Sequence, residues 1–181
     1  VGAMAACIGI GYTELKHVLE VYAGKGICQI ANDNVDGQIV ISGHTENIDH
    51  IIAVLKDTGH KAIKLKVSAP FHSELMKPAE APMLAALKQV SINLPLVPVI
   101  ANVTARTESE SDEIGRNLIT QICGTVRWRE TMDELACQGV TELVEIGSGS
   151  VLSGLARKTS HGFNVRNVST IAEMEEFLKG V

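Results

Sequence analysis

The chain has 181 residues, 45% of them hydrophobic and 20% charged. That is enough apolar content for one ordinary core or two small ones, and too much for a disordered chain. The formal net charge of −5 excludes the basic surplus of a nucleic-acid binder, and no apolar run approaches the roughly 18–20 residues of a membrane helix, so neither partner is expected.

With only 3% aromatics, the core must be aliphatic. The opening "VGAMAACIGI" has no initiator methionine and no signal-peptide pattern. It enters strand-like sequence at once, which reads as a piece of a longer chain. "AMAACIGI" (3–10) is a small, apolar strand. Thr13 is the candidate N-cap of a helix whose Leu15, Val18, Leu19 and Tyr22 share one face. "ICQIAN" (27–32) and "QIVISG" (38–43) are strands joined through "DNVDG". Ile48, Ile51, Ile52 and Leu55 give a second amphipathic helix, stopped by Gly59. "AIKLKV" (62–67) alternates as a strand with Ile63, Leu65 and Val67 on its dry face. The order β-α-β-β-α-β predicts a ferredoxin-like small subdomain over 1–67, with an antiparallel four-stranded sheet under two helices.

The remainder, 68–181, predicts an α/β layered arrangement. Helices are expected within 74–90, broken or started by Pro78 and Pro82, and over 111–122 and 128–139. Strands are expected at 96–102 and 141–147. A glycine turn then leads through a helix to a strand in "NVRNVS" and a last helix ended by Gly180. Three short strands would leave a raw sheet edge, again pointing to sequence supplied from outside these residues.

The candidate chemistry is sparse. "EIGSGSVLSG" turns from strand to helix, where free N–H groups could hold a phosphate. It lacks the third glycine of a dinucleotide fingerprint and the Gly-Lys-Ser/Thr of a Walker loop. A tight structural turn is the favoured reading. No Gly-x-Ser-x-Gly nucleophile elbow occurs. Cys7, Cys28, Cys123 and Cys137 have no zinc or redox spacing. They read as small buried thiols in a reducing cytoplasm. None of the six histidines sits in a metal-ligand pattern. His72, in "SAPFHSELM", reads on residue chemistry alone as a loop histidine first and a catalytic base second, and its place at a strand end adds weight to the second.

Six stretches occur in order: "GAMAACIG", "CQIANDNVDGQIVISG", "VSAPFHSELM", "LVPVIANVTA", "LITQICGTVRW" and "GVTELVEIGSGSVLSGLARK". Together they resemble the later part of the malonyl-CoA:acyl carrier protein transacylases, over nearly the whole chain. The resemblance implies a ferredoxin-like subdomain inserted in an α/β-hydrolase-like large domain, of which 68–181 would be the C-terminal part. It implies ping-pong transfer of malonyl from coenzyme A to the phosphopantetheine thiol of acyl carrier protein, without a cofactor. The implied partners are malonyl-CoA and acyl carrier protein.

By motif, His72 would be the general base and Gln121 would orient it through a main-chain carbonyl. Asn32, Asn34 and Gln38 would line the substrate groove, with turn residues bonding their own backbone as the alternative. Phe71, just before the histidine, would bear on acyl-group choice. The nucleophilic serine, the oxyanion-hole glutamine and the carboxylate-binding arginine have no counterpart here. They are expected upstream, and this chain alone is expected to be inactive. Two rivals remain: a polyketide-synthase-type acyltransferase domain, and a non-catalytic βαββαβ ligand-binding module. Lys61, Lys64, Lys66 and Lys77, or Arg127, Arg129, Arg157 and Lys158, are candidate contacts for an acidic carrier protein.

Overall fold

A computed structural model of the chain describes residues 2–22 and 24–180. It divides into two compact units, Val1–Thr131 and Met132–Val181. The first unit opens with β1 (Gly2–Ile8), α1 (Tyr12–Tyr22), β2 (Cys28–Val35), β3 (Gln38–His44), α2 (Thr45–Asp57) and β4 (Lys61–Lys64). The four strands form one sheet in the order β2-β3-β1-β4. Every neighbouring pair is antiparallel.

Successive side chains of a strand face opposite sides, and both sides of this sheet are apolar. Ala3, Ala5 and Cys7 turn one way. They pack with Leu15 and Leu19 of α1 and with Ile48, Ile51 and Leu55 of α2. Met4 turns the other way and packs with Ala31 and Val40.

Three details differ from the sequence expectation. Leu15 N–H already donates to the Gly11 carbonyl, so Thr13 lies within the first turn of α1 and does not cap it. Tyr22 ends that helix and stays 47% exposed. The alternation over 62–67 points Ile63, Leu65 and Val67 away from the helices, because Ala62 takes the inner face. Only Leu65 is covered, by the Met4 cluster. The strand is a four-residue edge whose pairing with β1 stops at Lys64. Ile63 and Val67 therefore remain exposed.

The first unit continues through a 3₁₀ segment (Glu74–Ala79) that contains Pro78, then α3 (Glu80–Leu87). The strand expected at 96–102 is reduced to β5 (Val99–Ala101), beginning just after Pro98. It pairs antiparallel with β6 (Arg106–Glu108). That three-residue strand carries no apolar signal and was not expected. α4 (Ser111–Thr120) follows, and α5 (Trp128–Cys137) spans the division between the units.

In the second unit, β7 (Glu142–Ile146) and β8 (Asn164–Val168) run parallel, with α6 (Val151–Ala156) between them in sequence. α7 (Ile171–Lys179) closes the unit behind a Thr170–Glu173 capping box. The three strands expected as one layered sheet thus fall into two separate pairs, β5-β6 and β7-β8.

Candidate active site

Three stretches of the first unit meet at the outer edge of β2. One is the segment after β4. Pro70 lies so close to Gly2 that a Cβ there would be 2.3 Å from Pro70 Cγ, an approach that only glycine permits. Ser73, fully buried, donates its hydroxyl to the Pro70 carbonyl at 2.7 Å. This closes a turn on His72, whose φ of +55° lies in the left-handed region. Non-glycine residues adopt that region rarely and chiefly where a site requires it.

The second stretch is the end of α4. Gly124 N–H donates to the Thr120 carbonyl at 2.9 Å and tightens the chain after the helix. A Cβ on Gly124 would lie 2.6 Å from Val103 Cγ2. The chain then runs alongside β2, the third stretch. Val126 N–H donates to the Ala31 carbonyl and Asp33 N–H to the Val126 carbonyl, both at 2.8 Å. Thr125 Oγ1 donates to the Ile30 carbonyl at 2.7 Å. The open edge of β2 is thereby used to seat the "QICGTV" segment.

These approaches bring His72 Nδ1 to 3.0 Å from the main-chain oxygen of Gln121. A carbonyl only accepts, so Nδ1 carries a proton, and the neutral ring has its lone pair on Nε2. The side-chain amide of Gln121 also lies 3.3 Å from Nδ1. That contact is longer, and the amide already donates to the Gly124 carbonyl at 2.8 Å. The carbonyl bond therefore sets the tautomer. His72 is half-buried, and the neighbouring Phe71 is 40% exposed.

The other expected groove residues are spread along the sheet. Asn32 and Asn34 lie in β2, half-buried, and Asn32 bridges to Val126. They are strand residues; the turn itself is Asp36–Gly37. Gln38 opens β3, paired with Val35 and Ile8 at the hairpin end. Gln29, beside the histidine loop, pairs with Ser42. Four residues of strand separate Ser42 from Gln38, about 13 Å. His72 and Gln121 are brought together, then, while Gln38 sits at the far end of the sheet.

Sequence reasoning missed Gln29. Its amide N–H₂ group donates to the Cys123 carbonyl at 3.1 Å and the His72 carbonyl at 3.4 Å. Its oxygen accepts from Glu74 N–H at 3.1 Å. The available signal was a polar residue between Cys28 and Ile30 in the opening of β2.

Elsewhere the candidates resolve into structural roles. In the second unit, Glu145 accepts from Ser153 N–H at 2.7 Å and Leu152 N–H at 3.1 Å. The seat considered for a phosphate at the glycine turn is thus filled by the protein's own carboxylate. Hydrogen bonding from Ser153 holds that carboxyl below its ordinary range. His60 lies 3.1 Å from the Gly9 carbonyl and 3.3 Å from Glu14. His161 lies 2.8 Å from Asp133.

Among the described residues, no group of three or more His, Cys, Asp or Glu side chains could hold a metal, and no helix is long and apolar enough to cross a membrane. Burial pushes the Cys7 and Cys28 thiols up to about 12 and the Cys123 thiol to about 11. Cys137, at the end of α5, is exposed and departs from the expectation of buried thiols.

Much of the basic surface is already engaged. Arg127 pairs with Glu130, and Arg129 with the fully buried Asp33 at 2.8 Å. Arg157 donates to the Val165 carbonyl, and Lys64 pairs with Asp49 at 2.6 Å. Lys61, Lys66 and Lys77 are exposed.

Residues 19–177 match the family model described as acyl transferase domain. The malonyl CoA-acyl carrier protein transacylase of Bacillus subtilis is 43% identical over 173 residues, covering 94% of this chain and 53% of that protein. The crystal structure of the acyl-carrier-protein-S-malonyltransferase from Bartonella henselae aligns with a TM-score of 0.93 and 45% identity, over 99% of this chain and 58% of that one. A complex of a type II polyketide synthase acyl-carrier protein with its malonyl-transacylase aligns with a TM-score of 0.92 and 32% identity, over 99% and 59%. The chain spans about half the length of the curated relatives it matches.

Proposed function

Because the chain belongs to the acyl transferase domain family, we propose that it is the C-terminal part of a malonyl-CoA:acyl carrier protein transacylase, in which His72 is the general base. The observation that carries this reading is the 3.0 Å approach of His72 Nδ1 to the Gln121 carbonyl, from a histidine held at φ +55°. The carbonyl plays the orienting part that an aspartate plays in a Ser-His-Asp triad.

The chemistry follows from the tautomer. Nε2 takes the proton of a serine hydroxyl as the oxygen attacks the malonyl thioester carbon. The tetrahedral intermediate collapses, the C–S bond breaks, and the imidazolium returns the proton to the departing coenzyme A sulfur. In the second half, Nε2 takes the proton of the phosphopantetheine thiol as its sulfur attacks the malonyl-serine ester. The serine oxygen leaves and recovers that proton. Throughout, Nδ1–H stays on the Gln121 carbonyl and favours the imidazolium each time it forms. No Gly-x-Ser-x-Gly elbow lies within these residues, so this reading assigns the serine to an upstream half. It makes residues 1–181 inactive alone.

The sheet order and the helices α1 and α2 on one face support a ferredoxin-like subdomain over 1–67. Residues 68–181 are then the C-terminal part of an α/β-hydrolase-like domain. The transacylase complexed with its carrier protein supports acyl carrier protein as the partner, and the reaction fits a cytoplasmic enzyme with no cofactor.

The test is His72→Ala in an enzyme that carries the upstream half. Turnover should fall by the roughly 10²–10⁴ typical of losing a general base, with an unchanged unfolding midpoint. Wild-type turnover in that variant would remove His72 from the mechanism.

A further inference from the structure

We propose that Gln29 is a positioning residue for the His72–Gln121 pair, acting as a clamp between the two segments that carry its members. The inference rests on the transacylase reading above for its kinetic consequence, but not for its geometry. The histidine loop and the "QICGTV" segment are 49 residues apart at their contact. A single side chain bonds both of them: Gln29 donates to the Cys123 carbonyl and the His72 carbonyl, and accepts from Glu74 N–H.

An amide has two N–H donors in a fixed plane. Placing one on each segment fixes their separation, and hence the reach of Nδ1 to the Gln121 carbonyl two residues before Cys123. The bonds on either side of Ser73 also hold the backbone that leaves His72. The His72 carbonyl and the Glu74 N–H flank fully buried Ser73, whose hydroxyl is committed to Pro70. The left-handed φ of His72 is thereby maintained from outside the loop. Gln29 itself is anchored by its β-ladder pairing with Ser42, so the reference point is the rigid four-stranded sheet.

Gln29→Met keeps the length and apolar volume of the side chain and removes all three bonds. In the enzyme with its upstream half, kcat should fall by roughly tenfold to a hundredfold, the scale of a misplacement near 1 Å. KM for malonyl-CoA should stay within about twofold. A second readout needs no activity. The Nδ1–H proton of His72, held on a carbonyl, should give a downfield resonance protected from solvent exchange in the wild type. Gln29→Met should lose that protection. Gln29→Glu, which keeps only the acceptor for Glu74 N–H, serves if the methionine variant unfolds. It should lose the same protection, because both donors are gone.

An unchanged N–H resonance with unchanged kcat would overturn the clamp, as would a kcat loss that tracks only the folded fraction. Full activity in His72→Ala would instead defeat the transacylase base, while the resonance would still read the clamp.

Discussion

Two regions of the first unit keep their shape by different means. In residues 2–64, Ile39, Ile41, Ile48, Ile51 and Leu55 are each at most 1% exposed. Along residues 84–96, Leu84, Val90, Leu94 and Leu96 are 46%, 58%, 66% and 103% exposed. The sheet region is closed by apolar burial worth roughly 1.5–3 kcal/mol for each large side chain. The site region, 68–126, is held to that sheet by hydrogen bonds onto main-chain carbonyls: Gln29 to His72, Thr125 to Ile30, Gln29 to Cys123. Each is worth only about 1 kcal/mol net, but each is directional. The sheet therefore provides stability and a fixed frame, and the bonded segments provide the angle at which His72 meets Gln121.

The comparison is sharpest under a core deletion. Ile51→Ala opens space between α2 and the sheet and should cost about 2–5 kcal/mol. Chemical denaturation should show a lower midpoint at constant slope. Turnover per folded molecule of the longer enzyme should not change, because Ile51 touches only the frame. A matching loss of turnover in the folded fraction would mean that frame and site are not separable.

What could be read beforehand follows the same line. The elements of 2–64 are legible because burial leaves a periodic trace: Ile48, Ile51 and Leu55 repeat at helical spacing, and strand residues alternate. The candidate site is less so. "PFHS" points to His72, and the resemblance pairs it with Gln121. Nothing in local sequence says that a segment 49 residues on would lie against β2. Directional bonds such as Gln29 to Cys123 leave no period, because a single polar side chain satisfies them. The same reason hid β6, whose Arg-Thr-Glu run is recognisable only through its pairing with Val99–Ala101.

A second way to separate frame from site is selectivity. Phe71 precedes His72 and is 40% exposed, so its ring is not part of the core. If it fills the volume a branching methyl would need, malonyl should be preferred over methylmalonyl. Phe71→Ser should then ease the discrimination by roughly 1–3 kcal/mol. The measurement is kcat/KM for both thioesters in the two proteins. Equal preference ratios would return Phe71 to packing alone.

Smaller still is the effect expected at Gln121. Alanine keeps the main-chain carbonyl that receives His72 Nδ1–H and loses the amide's bond to Gly124 at 2.8 Å and its longer 3.3 Å approach to Nδ1. Gln121→Ala should cost about 1 kcal/mol of stability and lower turnover far less than His72→Ala. A defect as large as that of the histidine variant, in a folded protein, would show that the side chain rather than the backbone does the orienting.

The least perturbing test lies in the second unit, where Glu145 does for α6 what carbonyls do at the site. Its carboxylate takes the N–H groups of Leu152 and Ser153, and hydrogen bonding from Ser153 lowers its folded pKa. The unfolded chain has the higher pKa and binds the proton more readily. The carboxylate therefore stabilises the fold above the unfolded value, and that contribution is lost as pH falls through the folded one. Glu145→Gln keeps an acceptor oxygen but removes the charge. The wild type should melt at a slightly higher temperature than the variant near neutral pH, and the gap should close in acid as Glu145 protonates. The check is a pair of melting curves followed from pH ~7 down to pH ~3. A gap that stays constant over that range would mean that the carboxylate's charge contributes nothing, and that the turn stands on its glycines alone.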